Sequence, residues 1–553
     1  MQGQAAATPP SLLMASKRTI ADFIKPAAVL AGFPEHDYTL SGLLQSRLQP
    51  AATRPCILFN DKTWTWSEFV DAVGKTAGML AARGIRHGDR VAVMAGNSDA
   101  HVRMLFALAR LGAIMVPVNP DYGVEEARYV LHHAGVSAVA CSDATLDVAR
   151  AATAEMTPAP WFMGVLGEDA SVTSLDALVT ASNAVVPASA AQADDTVVII
   201  YTSGTTGFPK GVMHSQRSFC LSGEREIERS YLQARNRALI VLPMFHINAL
   251  FYSVAGTFVV GGCIVIAPRF SASQFWKLAA DTQVTRANVM LAGMTILTRR
   301  PRSEYDDQHC LEIIVCGGLT DEIVDTCTQE FGIKKLVEGF GMTEVPGTFG
   351  VPVEAQQTRG SMGAPGIYPG NKMLWAQVRI VDDEGRDVAD GVTGEMLVRM
   401  PTMLQGYYKD AEQTAAAIRD GWFYTGDLVC RNEDGWYSFI ARKKDIIRRR
   451  GENISGAELD RVIGTHPAVS AVAVIAVSDD ISGEEALAVV VRKPQQDVNA
   501  QDIAAWCGER LAVFKVPRYV VFTDELPRTP TGKVAKHILK KDMMLVVRAV
   551  AVR

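Results

Sequence analysis

The segment that decides the fold is YTSGTTGFPKG, residues 201–211, which follows the apolar run Val197–Ile200. Its glycines free the backbone to wrap around an anion, and its hydroxyls and backbone N–H groups can donate to phosphate oxygens. Lys210 adds a positive charge. The segment is not a Walker loop, because Phe208 and Pro209 separate the glycine from the lysine. We therefore predict a loop that holds phosphate groups behind a buried strand.

Helical patterns alternate with short β-branched runs around this segment, which is typical of parallel βα units. The predicted helices are 67–84, 99–112 and 125–134, and the predicted strands are 90–94, 114–118, 138–141, 196–201, 238–242, 264–267, 287–291 and 311–315. Beyond about residue 375, short runs at 378–381, 395–399 and 437–440 indicate an antiparallel β section. The last ~100 residues have an α+β pattern, and this is the size of a small domain.

Composition bounds the classes of protein that remain. The chain has 553 residues, so at least two domains are expected, since one hydrophobic core serves only ~250–300 residues. The net charge of −5 provides no overall positive field for nucleic acid or an anionic membrane. The nine cysteines contain no C-x-x-C pair, so we expect a cytoplasmic protein without disulfides.

The apolar run 249–268 could be mistaken for a membrane span. Gly256, Gly261 and Gly262 interrupt it, so we interpret it as a buried helix and strand.

The 201–211 segment resembles the phosphate-binding loop of the adenylate-forming superfamily, which includes acyl-CoA synthetases, peptide-synthetase adenylation domains and firefly luciferase. Matching segments run in the same order from 62–69 to Lys533, so the resemblance covers nearly the whole chain. It implies an α/β fold with a large N-terminal domain of α/β layers plus an antiparallel β section, and a smaller mobile α+β C-terminal domain. The implied boundaries are 1–441, a hinge at 442–446, and 447–553.

The resemblance also implies a nucleotide site. Phe340 occupies the place of an aromatic residue that stacks on adenine, and Glu344 matches a ligand of Mg²⁺. Asp427 matches a carboxylate that binds both ribose hydroxyls, and Arg442 matches an arginine that contacts the ribose. The implied ATP- and AMP-binding residues are Thr202, Ser203, Gly204, Thr205, Thr206, Gly207, Gly317, Gly318, Gly339, Phe340, Gly341, Met342, Thr343, Asp427 and Arg442, with Thr205 and Glu344 as the Mg²⁺ ligands.

The implied catalytic residues are Lys210, His246, Glu344 and Lys533. Lys533 ends the segment PRTPTGK at 527–533, which resembles a C-terminal loop whose lysine enters the site for adenylation. His246 matches a position that gates the acyl pocket, although a lone histidine among apolar residues is as often a core residue. A carboxylate substrate has no proton to give, so gating or orienting that carboxylate suits His246 better than general base catalysis.

The implied acyl pocket is mostly apolar, which suits a short, medium-chain or aromatic acid. Its residues are His246, Asn248, Ala249, Met290, Ala292, Gly293, Met294, Gly318 and Pro346.

The basic run 442–450 has two interpretations. Alone, it could be a nucleic-acid or localisation patch, but the acidic chain as a whole argues against both. In the family that it resembles, this segment is the interdomain hinge, which implies Lys444 as the hinge residue. The loop after the hinge lies near the CoA tunnel, which implies Arg450, Gly451 and Glu452 as CoA-binding residues. Arginines 448–450 could then face the phosphates of CoA.

The resemblance therefore implies an AMP-forming carboxylic acid:CoA ligase that uses ATP, Mg²⁺ and coenzyme A. Within the family, the sequence most resembles crotonobetaine/carnitine:CoA ligase-like enzymes and medium-chain or aromatic acid ligases. The alternatives are a stand-alone adenylation enzyme that loads a carrier protein and a non-catalytic or luciferase-like adenylate binder. No nucleic-acid partner and no membrane span are expected. The sequence does not identify the acid substrate. It also leaves the oligomeric state open between a monomer and an assembly such as a homodimer.

Overall fold

The computed structural model describes residues 25–167, 169, 171–202, 209–355, 360–368, 374–450, 452–479, 482–528 and 534–552. The helices are α1 (Pro26–Ala31), α2 (Leu40–Ala51), α3 (Trp66–Ala82), α4 (Asp99–Leu111), α5 (Val124–Ala134), α6 (Asp143–Thr153), α7 (Leu175–Ala181), α8 (Gln216–Ser230), α9 (Ala255–Val259), α10 (Phe275–Asp281), α11 (Leu291–Arg299), α12 (Asp321–Asp325), α13 (Ala411–Ala417), α14 (Gly456–Gly464), α15 (Ala500–Gly508), α16 (Lys536–Leu539) and α17 (Met543–Arg548). Asn248–Val254 and Thr326–Glu330 are π-helices, and Arg302–Glu304, Lys443–Asp445 and Val513–Lys515 are 3₁₀ turns.

The strands are β1 (Pro55–Phe59), β2 (Lys62–Thr65), β3 (Arg90–Met94), β4 (Ile114–Pro117), β5 (Ala138–Ser142), β6 (Trp161–Leu166), β7 (Thr196–Thr202), β8 (Lys210–Ser215), β9 (Arg237–Ile240), β10 (Cys263–Ile266), β11 (Arg286–Asn288), β12 (Ile313–Val315), β13 (Lys335–Val337), β14 (Gly339–Met342), β15 (Val345–Gly350), β16 (Ser361–Gly363), β17 (Gln377–Val381), β18 (Gly394–Arg399), β19 (Gly406–Tyr407), β20 (Ile418–Arg419), β21 (Trp422–Arg431), β22 (Tyr437–Arg442), β23 (Ile446–Arg449), β24 (Glu452–Ser455), β25 (Val469–Asp479), β26 (Gly483–Arg492), β27 (Tyr519–Phe522) and β28 (Val550–Ala551).

The first large sheet has the strand order β13-β12-β11-β9-β10-β1-β2. The strands from β13 to β1 in this order run parallel, and β2 pairs antiparallel with β1 at the edge. Parallel strands place their carboxyl ends at the same edge of a sheet, and ligands of open α/β sheets bind outside that edge. The segments after β9, β11, β12 and β13 therefore meet at one edge.

The second large sheet has the order β19-β8-β7-β4-β3-β5-β6. β7, β4, β3, β5 and β6 are parallel, whereas β8 is antiparallel to both β7 and β19. The predicted strand before the phosphate loop is β7. The structure adds β8 directly after the loop, so the segment joins two antiparallel strands.

The predicted elements of the first βα units agree with the structure. The predicted helix 99–112 is Asp99–Leu111, and the predicted strand 90–94 is Arg90–Met94. The predicted strand 287–291 is too long, because β11 ends at Asn288 and Leu291 already begins α11.

The apolar run 249–268 folds as predicted, into helix, turn and strand. Gly261 adopts φ +60°, in the left-handed region that favours glycine. A Cβ on Gly262 would lie 2.9 Å from the carbonyl oxygen of Asn236, so the turn has no room for a side chain there. No helix in the described part of the chain is long and apolar enough to cross a membrane.

Aromatic packing fixes α3 and α4 in the core. α3 begins at a capping box, in which Glu68 N–H donates to Thr65 Oγ1 at 3.2 Å and Thr65 N–H donates to the Glu68 carboxylate at 2.8 Å. The ring of Phe258 lies 5.6 Å from that of Phe69 and 5.0 Å from that of Phe106. Burying each of these rings stabilises the fold by about 1.5–3 kcal/mol.

The chain divides into two compact units. One contains the described residues up to Gln377 together with Val398–Gly421, and the other contains Val378–Leu397 and the described residues from Trp422 onward. The second unit holds strands in the order β22-β21-β18-β17 and a sheet in the order β24-β23-β26-β27-β28, with β25 paired to β26. The predicted boundaries 1–441, 442–446 and 447–553 stay a prediction.

Candidate active site

Two glycine segments of the predicted nucleotide site follow neighbouring parallel strands. Residues 316–319 come after β12, and residues 338–342 come after β13. The Glu338 carboxylate joins them, because it accepts a hydrogen bond from Leu319 N–H at 2.7 Å. Burial raises the pKa of Glu338. Gly318 adopts φ +79°, which favours glycine at this turn. Glu338, which we did not predict, thus positions the turn that carries Gly317 and Gly318.

The predicted adenine-stacking residue lies on a small hairpin of β14 and β15. The Phe340 ring lies 5.9 Å from that of Phe349, the residue opposite it. The Tyr252 hydroxyl accepts a hydrogen bond from Gly347 N–H at 2.9 Å. A Cβ on Gly341 would lie 2.5 Å from that hydroxyl oxygen, so this position requires glycine. The hairpin is therefore held closely against the π-helix that contains Tyr252.

Lys210 and Glu344, which come from separate motifs, meet around Tyr407. The Tyr407 hydroxyl donates to Glu344 Oε1 at 3.1 Å, and Lys210 Nζ lies 5.0 Å from the centroid of the Tyr407 ring. β19 pairs with β8 so that Tyr407 stands opposite Val212, which brings the ring beside Lys210. Burial, and then the nearby Glu344 carboxylate, raise the pKa of Tyr407, so its hydroxyl stays a donor. We did not predict Tyr407.

His214 connects β8 to the backbone beside Glu344. Its Nε2 lies 2.7 Å from the Thr343 carbonyl oxygen, and since a carbonyl only accepts, Nε2 is the donor. Its Nδ1 lies 3.1 Å from Ser218 Oγ. Burial lowers the pKa of His214 to about 4, so the ring is neutral near pH 7. His214 is four residues after Lys210 on the same strand, an alternation that could have indicated a shared face.

Asn97 fixes the segment after β9 that leads to the predicted gate. Its buried amide donates to the Leu242 carbonyl at 3.0 Å, and its Oδ1 accepts from Met244 N–H at 2.8 Å. Two residues further, the ring of the half-buried His246 lies 4.2 Å from that of Phe245. Asn97 follows β3 of the other sheet, so one side chain joins the carboxyl ends of both sheets.

The predicted acyl-pocket residues occupy two kinds of environment. Asn248 begins the π-helix and accepts a hydrogen bond from the Asn288 amide at 3.1 Å, and Met290 is 37% exposed. Ala249 and Met294 instead belong to the packed hydrophobic clusters. Of the others, Ala292 and Gly293 lie on α11 and Pro346 lies on β15.

The predicted ribose residues stand opposite each other on β21 and β22. Asp427 is fully buried, and its Oδ1 lies 2.5 Å from Arg442 Nε. Asp427 N–H also donates to Thr425 Oγ1 at 3.0 Å. We did not predict β21, in which Gly426 has φ +69° and interrupts the strand pattern. The structure thus brings Asp427 and Arg442 together through strand register.

The arginines of the basic run 442–450 differ in their exposure and in their partners. Arg449 Nε donates to the buried Glu485 carboxylate at 2.7 Å, so this guanidinium is engaged within the unit. The interpretation of arginines 448–450 as a CoA-facing set stays a prediction. Arg448 and Arg450 are exposed, and Arg450 Nε donates to Ser482 Oγ at 3.0 Å. Lys444 is exposed in the 3₁₀ turn Lys443–Asp445, and Glu452 begins β24.

Several predicted residues fall outside the described part of the chain. They are Ser203, Gly204, Thr205, Thr206 and Gly207 of the phosphate loop, Gly451, and Lys533. Thr202 and Lys210, which flank the loop, end β7 and begin β8.

Comparison with known families agrees with this arrangement. Residues 44–408 match the family model of AMP-binding enzymes. The chain belongs to this family. Residues 458–533 match the model of the AMP-binding enzyme C-terminal domain, so both predicted parts of the family are present in the predicted order.

Relatives of this AMP-binding enzyme include named CoA ligases. The chain is 32% identical over 503 residues to the indoleacetate–CoA ligase of Aromatoleum aromaticum, a match that covers 88% of this chain and 94% of the relative. It is 30% identical over 491 residues to the crotonobetaine/carnitine–CoA ligase of Proteus mirabilis, covering 87% and 93%.

A solved structure shares the fold. ATP-bound MatB from Rhodopseudomonas palustris superposes with a TM-score of 0.81 at 26% identity, covering 91% of this chain and 98% of MatB. The predicted fold class and membership of the adenylate-forming superfamily are confirmed. The prediction of an acyl-CoA synthetase is confirmed over the carrier-protein alternative, because the relatives are named as CoA ligases.

Proposed function

We propose that this chain converts a short, medium-chain or aromatic carboxylic acid into its CoA thioester in two half-reactions. First, a carboxylate oxygen attacks the α-phosphorus of ATP, the bond to the β-phosphate oxygen breaks, and pyrophosphate leaves. Then the CoA thiolate attacks the acyl carbon, and AMP leaves. The observation that supports this proposal best is the meeting of Lys210 and Glu344 around Tyr407, beside the two strands that flank the phosphate loop.

In the first half-reaction, the chain binds ATP and stabilises the charge that develops on the phosphates. Phe340 offers an aromatic face for adenine, and Asp427 with Arg442 binds the ribose. Residues 202–207 bind the phosphates, with Lys210 and Lys533 supplying positive charge where negative charge accumulates. His246 orients the acid or gates its pocket.

Mg²⁺ fits the residues at this site, because the Glu344 carboxylate is a hard oxygen ligand of the kind that the ion prefers. Glu344 and Thr205 would hold it. When bound, the ion supplies positive charge that stabilises the phosphate oxygens. Tyr407 orients the Glu344 carboxylate through its hydroxyl, and His214 holds the preceding carbonyl of Thr343.

In the second half-reaction, the C-terminal part of the chain turns about Lys444 and presents the CoA side of the site. Domain closure of this kind is a common means of separating two steps on one site. Gly451 and Glu452 lie beside CoA, and the exposed Arg448 and Arg450 pair with its phosphates.

The test is product analysis with a panel of carboxylic acids, ATP, Mg²⁺ and CoA. We expect AMP, pyrophosphate and acyl-CoA in equal amounts with at least one short, medium-chain or aromatic acid. Formation of ADP in place of AMP, or an acyl-adenylate that never reaches CoA, would contradict the proposal.

His214→Ala is expected to impair the use of ATP more than the use of the acid. The change leaves the Thr343 carbonyl without its donor beside Glu344, and losing a buried hydrogen bond costs about 1–3 kcal/mol. The measurement is kcat/KM for ATP and for the acid, with melting temperatures recorded in parallel.

His214→Gln is the matched control. The glutamine amide nitrogen can take the place of Nε2 as the donor to the Thr343 carbonyl, so this variant should keep most of the wild-type kcat/KM for ATP. A lower melting temperature with unchanged kcat/KM for ATP would show that His214 supports the fold alone.

A further inference from the structure

A pair of amide side chains lies at the carboxyl end of β11. Asn288 is the last residue of the strand, and Asn248 is the first residue of the π-helix Asn248–Val254. Asn288 Nδ2 donates to Asn248 Oδ1 at 3.1 Å. Single-turn π-helices occur frequently at functional sites. The sequence alone indicated Asn248 as a pocket residue and gave no indication of Asn288.

The pair lies on the face of the sheet that the π-helix Asn248–Val254 covers. Ala287 packs into the hydrophobic cluster that contains Leu239 and Ile314, so its neighbour Asn288 is on the opposite face. The π-helix packs against β9 and β11 on the face of Asn288, as the amide contact shows. Asn288 stands opposite Val315, the last residue of β12, and Gly317 and Gly318 follow shortly after that strand ends.

The pair retains hydrogen-bonding capacity. Each asparagine amide offers one acceptor oxygen and two donor hydrogens, and one bond between the two amides uses one of each. Within the described ranges, Asn248 Nδ2 and Asn288 Oδ1 have no hydrogen-bond partner, and neither is fully enclosed. The Asn248 amide nitrogen therefore keeps donor hydrogens and the Asn288 amide oxygen keeps acceptor capacity, on two amides that already contact each other at the predicted acyl pocket. A hydroxyl group can accept from the spare donor or donate to the spare acceptor, and an N–H group can donate to the acceptor.

We propose that Asn248 and Asn288 form a polar subsite that selects an acid bearing a hydroxyl or N–H group on its acyl part. The proposal rests on the proposed ligase function and names the substrate class of that site. A plain hydrocarbon acid would bury the spare donor and acceptor without partners. Sites that hydrogen-bond a substrate group discriminate strongly against the analogue that lacks it, so we expect a preference of at least about tenfold.

The experiment uses the full chain and pairs of acids that differ by one group: para-hydroxyphenylacetate and phenylacetate, para-hydroxycinnamate and cinnamate, and omega-hydroxyoctanoate and octanoate. Pyrophosphate release gives kcat/KM for each acid. We expect the hydroxylated member of the best pair to be preferred by at least about tenfold. Asn248→Leu and Asn288→Val should each remove the preference, because they lower kcat/KM for the hydroxylated acid by a larger factor than for the plain acid. Ser253→Ala, elsewhere on the same π-helix, is the control and should keep the preference.

Two results would overturn the inference: a wild-type preference for the plain acids, or variants that lower both members of a pair equally. If Asn288→Val does not fold, Asn248→Leu at the helix start decides alone. The CoA step separates this inference from the proposed function. Plain acids that are preferred and yield thioesters refute the subsite but not the ligase. A hydroxylated acid that is preferred as the adenylate but never forms a thioester refutes the ligase and leaves the subsite intact.

Discussion

Replacing Lys533 by alanine is expected to slow adenylation by ~10²–10³-fold, the scale of removing one preorganised electrostatic donor. The reason is that the ammonium group is proposed to bridge the carboxylate and the α-phosphate only while pyrophosphate leaves. Thioester formation from synthetic acyl-adenylate and CoA should continue at nearly the wild-type rate, because Lys533 is proposed to act in the adenylation step alone. Each half-reaction is measured separately, and the second is measured by rapid mixing of the enzyme and CoA with purified acyl-adenylate.

The hinge variant Lys444→Pro is the opposite control. Fixing φ at this position should restrict the rotation that presents the CoA side, so it should slow the thioester step and spare adenylation. Equal loss in both steps for Lys533→Ala would mean that the lysine supports folding or CoA binding, and the two-conformation scheme would fail.

Asp427→Ala is expected to weaken ATP binding by on the order of 2–4 kcal/mol without changing which acid is preferred, because it removes the carboxylate that is proposed to make two charge-assisted hydrogen bonds to the ribose. The structure places Asp427 fully buried against Arg442, which fixes the orientation of its carboxylate. Calorimetric titration with ATP measures the affinity, and the acid panel measures the preference.

Asp427→Asn is the control of matched shape, and it should lose less affinity than Asp427→Ala because its amide still bonds to hydroxyls. Normal ATP affinity combined with an altered acid preference would contradict the assignment of Asp427 to the nucleotide site.

The parts of the fold that the sequence predicted are those with local periodicity. Arg90–Met94 and Asp99–Leu111 show a strand and helix pattern that needs no partner to be recognised. β8 and β21 were missed because their stability comes from neighbouring strands. Gly426 further obscures the pattern of β21.

The candidate site shows the same division. Lys210, Glu344 and Asp427 stand in contiguous motifs, so the sequence alone indicated them. Tyr407 and Asn97 act on segments that are distant in sequence, and the pairing of β19 with β8 or the meeting of two sheets brings them there. Such contacts leave no local signature, which is why neither residue was predicted.

The most direct test of the account is exchange of labelled pyrophosphate into ATP in the absence of CoA. If the acid first forms an enzyme-bound acyl-adenylate, that step is reversible on its own. Label should then enter ATP only when a suitable acid is present, and adding CoA should divert the adenylate to thioester and AMP. Exchange that proceeds without acid, exchange that requires CoA, or the appearance of ADP would contradict an adenylate-forming mechanism for this chain.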